Sequence, residues 1–352
     1  MLRIGFVGTG LIAWAHGMGL KAMIDGGVIA AEITVAHDVS HDRAQGFATT
    51  LGAQSVPDLE AVMVGCDVVW ICTPTSAHRA AVDAALAAGL PIFCEKPLAT
   101  DLASAAALVE AVGAGRVASQ SGLVLRSAPV FRTLRDLVQS GTLGRPMAAV
   151  FRDDQFLPIQ GRYGFGSRWR SDVTQAGGGC LIEHSIHDVD ILRFCFGEVD
   201  SVAARTSSFA GHPGIEDMAS VTMSFESGLT ANLTSVWHNI LSRGSSRSIE
   251  VFFEDAMVSL TEEFQGPLSI HTSDGIEERH CPAPQWVDDL PLAQDEMGLA
   301  LRAYVEADRD FITAIEQGTE PEPSLGEALM AHRLVDAAYR SADGGGVPIS
   351  LA

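Results

Sequence analysis

The chain has no CxxC pair. Its six cysteines, Cys66, Cys72, Cys94, Cys180, Cys195 and Cys281, are scattered among mostly apolar neighbours. That pattern argues against a zinc ribbon or a disulfide scaffold and for buried free thiols. Basic residues are scarce: 23 Lys and Arg stand against 44 Asp and Glu, a formal net charge of −21, and no basic cluster offsets it. Such a surface repels nucleic-acid phosphates, so no nucleic-acid partner is expected. No apolar run is long enough to span a bilayer, and no internal repeat or long low-complexity tract is visible. Met1-Leu2-Arg3-Ile4 leads straight into a strand-like segment, so the expectation is no signal peptide, no membrane association and a cytoplasmic location.

Apolar residues, in contrast, make up 47% of the 352, enough for two domains of ordinary size. The expected division is 1–122 and 123–352, with C-terminal helices able to pack back on the first domain. Leu2 to Val7 alternates like a strand and ends at Gly8-Thr9-Gly10-Leu11-Ile12-Ala13, a GxGxxA turn that opens a helical pattern over 12–23. The first glycine permits the tight turn, the second lets a pyrophosphate approach the backbone, and Ala13 allows close helix–strand packing. The N–H groups at Leu11 and Ile12 open the helix and favour an anion. A second strand, 32–37, ends at Asp38, which suits adenosine ribose hydroxyls and repels a 2′-phosphate. NAD is therefore favoured over NADP; a capping Asp at a strand end is the plainer alternative.

Further buried strands read over 66–72 and 90–94. The first runs into Thr73-Pro74-Thr75-Ser76-Ala77-His78, and the second closes on Glu95-Lys96-Pro97. Ligands of open α/β sheets bind outside the carboxyl ends of the strands, so Lys96 is placed where the reactive end of a cofactor lies. Alone, it also reads as a surface lysine. A helix over 101–112 and a strand over 116–121 complete a doubly wound, mostly parallel sheet.

Beyond residue 122 the pattern changes. A helix reads over 127–140, then long alternating strands over 219–225, 229–237, 248–253 and 257–261, giving an α+β domain with a large, mainly antiparallel sheet open on one face. Helices over 302–316 and 325–340 close the chain. Between them, Gly177-Gly178-Gly179 opens an apparent helix carrying Glu183, His184, His187 and Asp190. Glu183 and His187, four apart, are expected on one face, and an acid beside an imidazole suits general acid–base chemistry. Surface acid–histidine pairing is the bland alternative. His184 and His187 lie off one ridge and no HExxH order is present, so no metal site is expected.

Together these residues resemble the Gfo/Idh/MocA family of glucose–fructose oxidoreductase, inositol dehydrogenase and relatives. The GxGxxA turn, Asp38, Thr73-Pro74 with His78, Glu95-Lys96-Pro97, Trp169-Arg170, the triple glycine with His187 and Asp190, and the terminal Ala338-Tyr339-Arg340-Ser341 carry the likeness. The resemblance implies an N-terminal Rossmann domain that holds NAD through Gly8, Gly10, Leu11, Ile12, Asp38, Thr73, Pro74, His78, Glu95 and Lys96. It also implies a hydride transfer between the nicotinamide and a secondary alcohol of a sugar, inositol or related polyol. Lys96 and His187 are then the proton-handling and alkoxide-stabilising groups. Glu183 stands where the family commonly has Asp, one methylene longer in reach. Arg126, Arg170, Asp190 and His238 are candidate hydroxyl-binding groups; His238 also reads as a polar strand end. Arg152, Arg162, Arg168 and Arg170, with Asp153 and Asp154, read either as facing a polar substrate or as a solvated loop. A cis peptide before Pro97 and a homodimer or homotetramer are further implications. Two other readings of the same residues are a glycosidase that uses NAD for transient C3 oxidation and elimination, and a non-catalytic dinucleotide-binding regulator.

Overall fold

The protein, seen here as a computed structural model, is described over residues 1–159, 167–240, 242, 244–261, 264, 266–292 and 296–351; Arg162 lies outside the described residues. Helices and strands alternate first: β1 (Leu2–Val7), α1 (Leu11–Asp25), β2 (Ala31–His37), α2 (His41–Leu51), β3 (Gln54–Ser55), α3 (Leu59–Gly65), β4 (Val68–Ile71), α4 (His78–Ala88), β5 (Ile92–Cys94), α5 (Leu102–Gly115) and β6 (Ser119–Ser121). Then come α6 (Pro129–Ser140), β7 (Pro146–Phe156), α7 (Val173–Ala176), α8 (Cys180–Glu183) and α9 (Ile186–Phe196). A run of strands follows: β8 (Val199–Ser207), β9 (Met218–Phe225), β10 (Thr230–His238), β11 (Ser246–Phe253), β12 (Met257–Leu260), β13 (Leu268–Thr272) and β14 (Gly275–Arg279). The chain closes with α10 (Gln285–Asp288), α11 (Glu296–Gln317), α12 (Leu325–Asp343) and β15 (Ile349–Ser350).

Contacts group these elements into two units, residues 1–124 with 284–329, and residues 125–283 with 330–352. The segment 284–329 groups with the first unit because α11 gives Val305, Ala307, Phe311 and Ile312 to its core.

The first unit is a six-stranded sheet in the order β3-β2-β1-β4-β5-β6, parallel at every described pairing. This is the doubly wound order whose strand sequence reverses between β1 and β4. β4 reads Val68-Val69-Trp70-Ile71 and is buried throughout, as a strand covered on both faces must be. Trp70 stacks on Phe93 at 5.6 Å between centroids, and Phe311 meets both rings edge-on. Such aromatic contacts add roughly 0.5–1.5 kcal/mol each beyond the area they bury. Asp25 ends α1 and Gly26-Gly27 turn the chain, which absorbs the extra residues between the glycine turn and Asp38.

The second unit is a nine-stranded sheet in the order β14-β13-β12-β11-β7-β10-β9-β8-β15. β7 and β10 run parallel and every other described pairing in it is antiparallel. Burial alternates along β10 and β11, so one face is packed and the other open. One local expectation is corrected here. The helix meant to place Glu183 and His187 on one face is broken: α8 stops at Glu183 and α9 starts at Ile186. The Ser185 N–H reaches back five residues to the Cys180 carbonyl at 2.8 Å, so the fourfold ridge does not run through the segment. His187 and Asp190 do share α9. Among the described residues, no helix is long and apolar enough to cross a membrane.

Candidate active site

The turn after β1 is built by close packing. Gly8 has φ +86°, and a Cβ there would lie 2.6 Å from the Cys72 carbonyl oxygen at the end of β4, so only glycine fits. At Gly10 a Cβ would meet open space, the cradle a pyrophosphate approaches. Helices α2, α3 and α5 are capped by the side chains of Ser40, Asp58 and Asp101. α1 has neither a side-chain cap nor an acid in its first turn, and Leu11 at its start is 43% exposed. Uncapped N–H groups with a positive dipole fit an anionic phosphate, so these residues fit a dinucleotide.

Asp38 braces the same turn. Its Oδ2 accepts from the Thr9 N–H at 2.9 Å and the Thr9 hydroxyl at 3.1 Å, and its Oδ1 accepts from Ser40 N at 2.8 Å and Arg43 Nη2 at 2.6 Å. Burial pushes its carboxyl up, but Arg43 and the two N–H groups outweigh this and hold it below the ordinary carboxylate range. Asp38 is thus ionised, and Arg43, the first basic residue after it, is held on it.

Glu95, Lys96 and Pro97 follow β5 directly, and the Lys96–Pro97 peptide is cis. The Lys96 N–H donates to Glu95 Oε2 at 3.1 Å. Glu95 Oε1 lies 2.9 Å from His16 Nε2, and His16 Nδ1 lies 2.7 Å from Asp308 Oδ1. The Trp70 indole N–H donates to that same Asp308 oxygen at 2.9 Å. His16 is fully buried. Burial opposes its charged form, yet Asp308 and then Glu95 prevail and raise its pKa to about 10. Burial likewise pushes Asp308 up while His16 pulls it back; with two carboxylates on one ring, the ring carries the proton. His78 is buried as well, with Nδ1 3.3 Å from the Leu98 carbonyl and Nε2 3.1 Å from the Thr73 carbonyl. It ties the loop after β4 to the segment after Pro97, and burial lowers its pKa, which favours a neutral ring.

In the second unit the acids are matched by arginines. Arg170 Nε donates to Glu183 Oε1 at 2.5 Å and Nη1 donates to Ser167 Oγ at 2.6 Å, with the guanidinium 4.5 Å over the Trp169 ring. Arg126 grips Asp190 through both carboxylate oxygens, at 2.7 and 2.6 Å, and lies 5.0 Å from the Phe194 ring. His187 stands in the first turn of α9, is 5% exposed and has its ring 6.3 Å from that of His184. His238, at the end of β10, lies 3.3 Å from Asp154 Oδ1 and edge-on to Phe156. Arg152 also pairs with Asp154, at 3.1 Å.

Beneath this layer the sheet register places Asp153 opposite Ser235 on β10 and Arg247 on β11. Ser185 Oγ is 2.7 Å from both Asp153 Oδ2 and Ser235 Oγ. Arg247 Nε donates to Asp188 Oδ1 at 2.7 Å and its Nη2 contacts His184. Burial and then Asp153 push Asp188 up to about 6, against the pull of Arg247 and His184. The triple glycine has a packing reason: a Cβ on Gly179 would sit 1.8 Å from the Glu216 carbonyl oxygen, and one on Gly178 would sit 2.5 Å from Tyr339 Oη. Glu216 in turn accepts from the Gly179 and Leu181 N–H groups and from Tyr339.

Burial pushes all six thiols up, so none is a ready nucleophile. No group of three metal-ligating side chains occurs among the described residues. The sequence reading missed His16, Asp308, Asp188 and Arg247. Only His16 left a local signal, a histidine inside an apolar helix.

Residues 2–122 match the oxidoreductase family with an NAD-binding Rossmann fold, and residues 131–259 match the GFO/IDH/MocA C-terminal domain. The 1,5-anhydro-D-fructose reductase of Ensifer adhaerens is 33% identical over 238 residues, 66% of this chain and 68% of that protein. The inositol 2-dehydrogenase of Cereibacter sphaeroides is 29% identical over 359 residues, 99% of this chain and 97% of that protein. The crystal structure of an oxidoreductase from Agrobacterium radiobacter in complex with NAD+, L-tartaric acid and magnesium has a TM-score of 0.84 at 22% identity, over 99% of this chain and 98% of that one, a likeness of fold. The phosphate turn, the lysine after β5 and the glycine–histidine block stand in the matched segments, and the chain belongs to the GFO/IDH/MocA family of NAD-binding oxidoreductases.

Proposed function

We propose that the protein is a dehydrogenase that moves a hydride between NAD and a secondary carbinol of a cyclic polyol or sugar. The observation that carries this reading is the position of Lys96. It stands at the carboxyl end of β5, in the sheet whose β1 end carries the phosphate turn, and ligands of such sheets bind along that edge. Relatives named inositol 2-dehydrogenase and 1,5-anhydro-D-fructose reductase support a polyhydroxylated substrate.

Bound NAD supplies the two-electron acceptor. Lys96, as ammonium, holds the reacting oxygen and stabilises the alkoxide charge that develops as the hydride leaves. His187 takes the hydroxyl proton. Glu183 and Asp190, each gripped by an arginine, Arg170 and Arg126, orient hydroxyls and the imidazole. Arg126, Arg170 and His238 complete the hydroxyl-binding set. Asp38 excludes a 2′-phosphate by its charge and by holding Arg43, which favours NAD over NADP. A homodimer or homotetramer goes with this reading.

The test follows NADH absorbance and product together, on purified protein with NAD and a panel of inositols, aldoses and glycosides. Stoichiometric NADH with a keto product is expected. Glycoside cleavage without net NADH would move the assignment to redox-assisted elimination, and dinucleotide binding without turnover of any member would leave a regulator.

A further inference from the structure

Three elements of the first unit meet at one buried imidazole. α1, whose start is the phosphate turn, contributes His16; the end of β5 contributes Glu95; α11 contributes Asp308 from 292 residues away. The site is built, not incidental. Gly122 makes room for the Glu95 carboxylate, since a Cβ there would lie 2.4 Å from Oε1. Gly19, one turn beyond His16, lets α1 approach α11, where a Cβ would lie 2.9 Å from Val305 Cγ2. Phe93 and Tyr304 pack on the imidazole in T-shaped contacts, at 4.8 and 5.1 Å between centroids. Both ring nitrogens are within hydrogen-bond distance of carboxylate oxygens. A neutral imidazole has one donor, so it satisfies both only if an acid is protonated; an imidazolium satisfies both as they stand.

Glu95 has a second task. Its Oε1 faces His16, and its Oε2 accepts the Lys96 N–H. We propose that His16, as an imidazolium donating to Glu95 and Asp308, is the positioning residue of the Lys96 segment and ties it to the phosphate-binding helix. This rests on the reading of Lys96 given above and deepens it. His16 is fully buried within the first unit. It acts through Glu95, whose carboxylate it holds in the one orientation that also fixes the Lys96 backbone. Displacements of about 1 Å far from the chemistry cost up to about a hundredfold in rate, so loss of the clamp is expected in turnover rather than in binding.

The test has three measurements, two of which compare wild type with His16→Gln. The first is the hydrogen-exchange rate of the Lys96 amide. The clamp predicts faster exchange in His16→Gln by about tenfold or more, as expected when a buried hydrogen bond opens locally; an unchanged rate overturns the proposal. The second is kinetics on the polyol that the panel identifies. A fall in kcat of about 10–100-fold, with KM and the NAD dissociation constant within about threefold, is expected; equal kcat, or a change in KM alone, overturns it. The third uses wild-type protein only and guards against a variant that does not fold. The imidazole 15N spectrum at pH 8 should show both His16 nitrogens protonated, and a neutral ring overturns the proposal. If wild type oxidises no polyol, the functional reading fails, while the amide exchange and the 15N spectrum still decide the clamp.

Discussion

Each unit buries a pair of carboxylates against a shared cation, and the cation differs. In the first unit Glu95 and Asp308 face the imidazole of His16. In the second, Asp153 and Asp188 face the guanidinium of Arg247, with His184 beside it. A guanidinium keeps its charge at any working pH and an imidazole does not. The second cluster therefore keeps its cation at any working pH, across three neighbouring strands and α9, and only its carboxylates titrate. The first is a pin that titrates, and it sits one residue from the lysine assigned to the chemistry. Permanent charge goes to the scaffold of the sheet, and an imidazole goes to the segment that carries Lys96.

Replacing the fixed cation has the largest expected effect. Arg247→Met leaves Asp153 and Asp188 buried with no guanidinium, and should cost about 3–5 kcal/mol of stability by urea unfolding. A loss under about 1 kcal/mol would mean that the pair already shares a proton and that the guanidinium is not its main support.

The next test uses pH. The folded-state pKa of His16, about 10, lies above its ordinary 6.5. Its contribution is complete below 6.5 and is lost as pH rises through about 10. The denaturation midpoint of wild type should fall over that window, and His16→Gln should start lower and be flatter. Asp188, raised from 3.8 to about 6, moves stability in the same direction lower down: the protonated carboxyl favours the fold, and that advantage is lost as pH rises from 3.8 through about 6. If the two windows do not separate, the contrast between the clusters is wrong.

A smaller effect is expected where an arginine only orients an acid. Arg170→Met frees Glu183 and should lower kcat/KM by about 10–100-fold, the worth of one charge-assisted hydrogen bond, with NAD affinity unchanged in a fluorescence titration. The smallest concerns cofactor choice. Asp38→Ser releases Arg43 and removes the carboxylate, and should move the NADP-to-NAD ratio of kcat/KM upward by up to about fivefold, the worth of one solvent-screened charge interaction. Adding Arg43→Ala should cancel that gain.

How much was legible follows the range of the interactions. The phosphate turn and the helix that follows it are written in adjacent residues, and the structure has them where the spacing put them. The parallel sheet follows from the alternating β and α patterns, while the two-residue β3 left no such signal. The break at His184–Ser185 was not legible, because helical spacing continues across it. What breaks it is nonlocal: Ser185 is drawn to Asp153 and Ser235 on strands 32 and 50 residues away. The arginine partners of the acids were hidden for the same reason, Arg126 standing 64 residues from Asp190. His16 and Asp308 are separated by nearly the whole chain, and only the return of α11 brings them together.

If Lys96 stabilises the alkoxide during hydride transfer, single-turnover NADH formation in Lys96→Met should fall to about 10²–10⁴ below wild type, with the NAD dissociation constant within about threefold. A rate within about tenfold of wild type, at equal cofactor affinity, would contradict it.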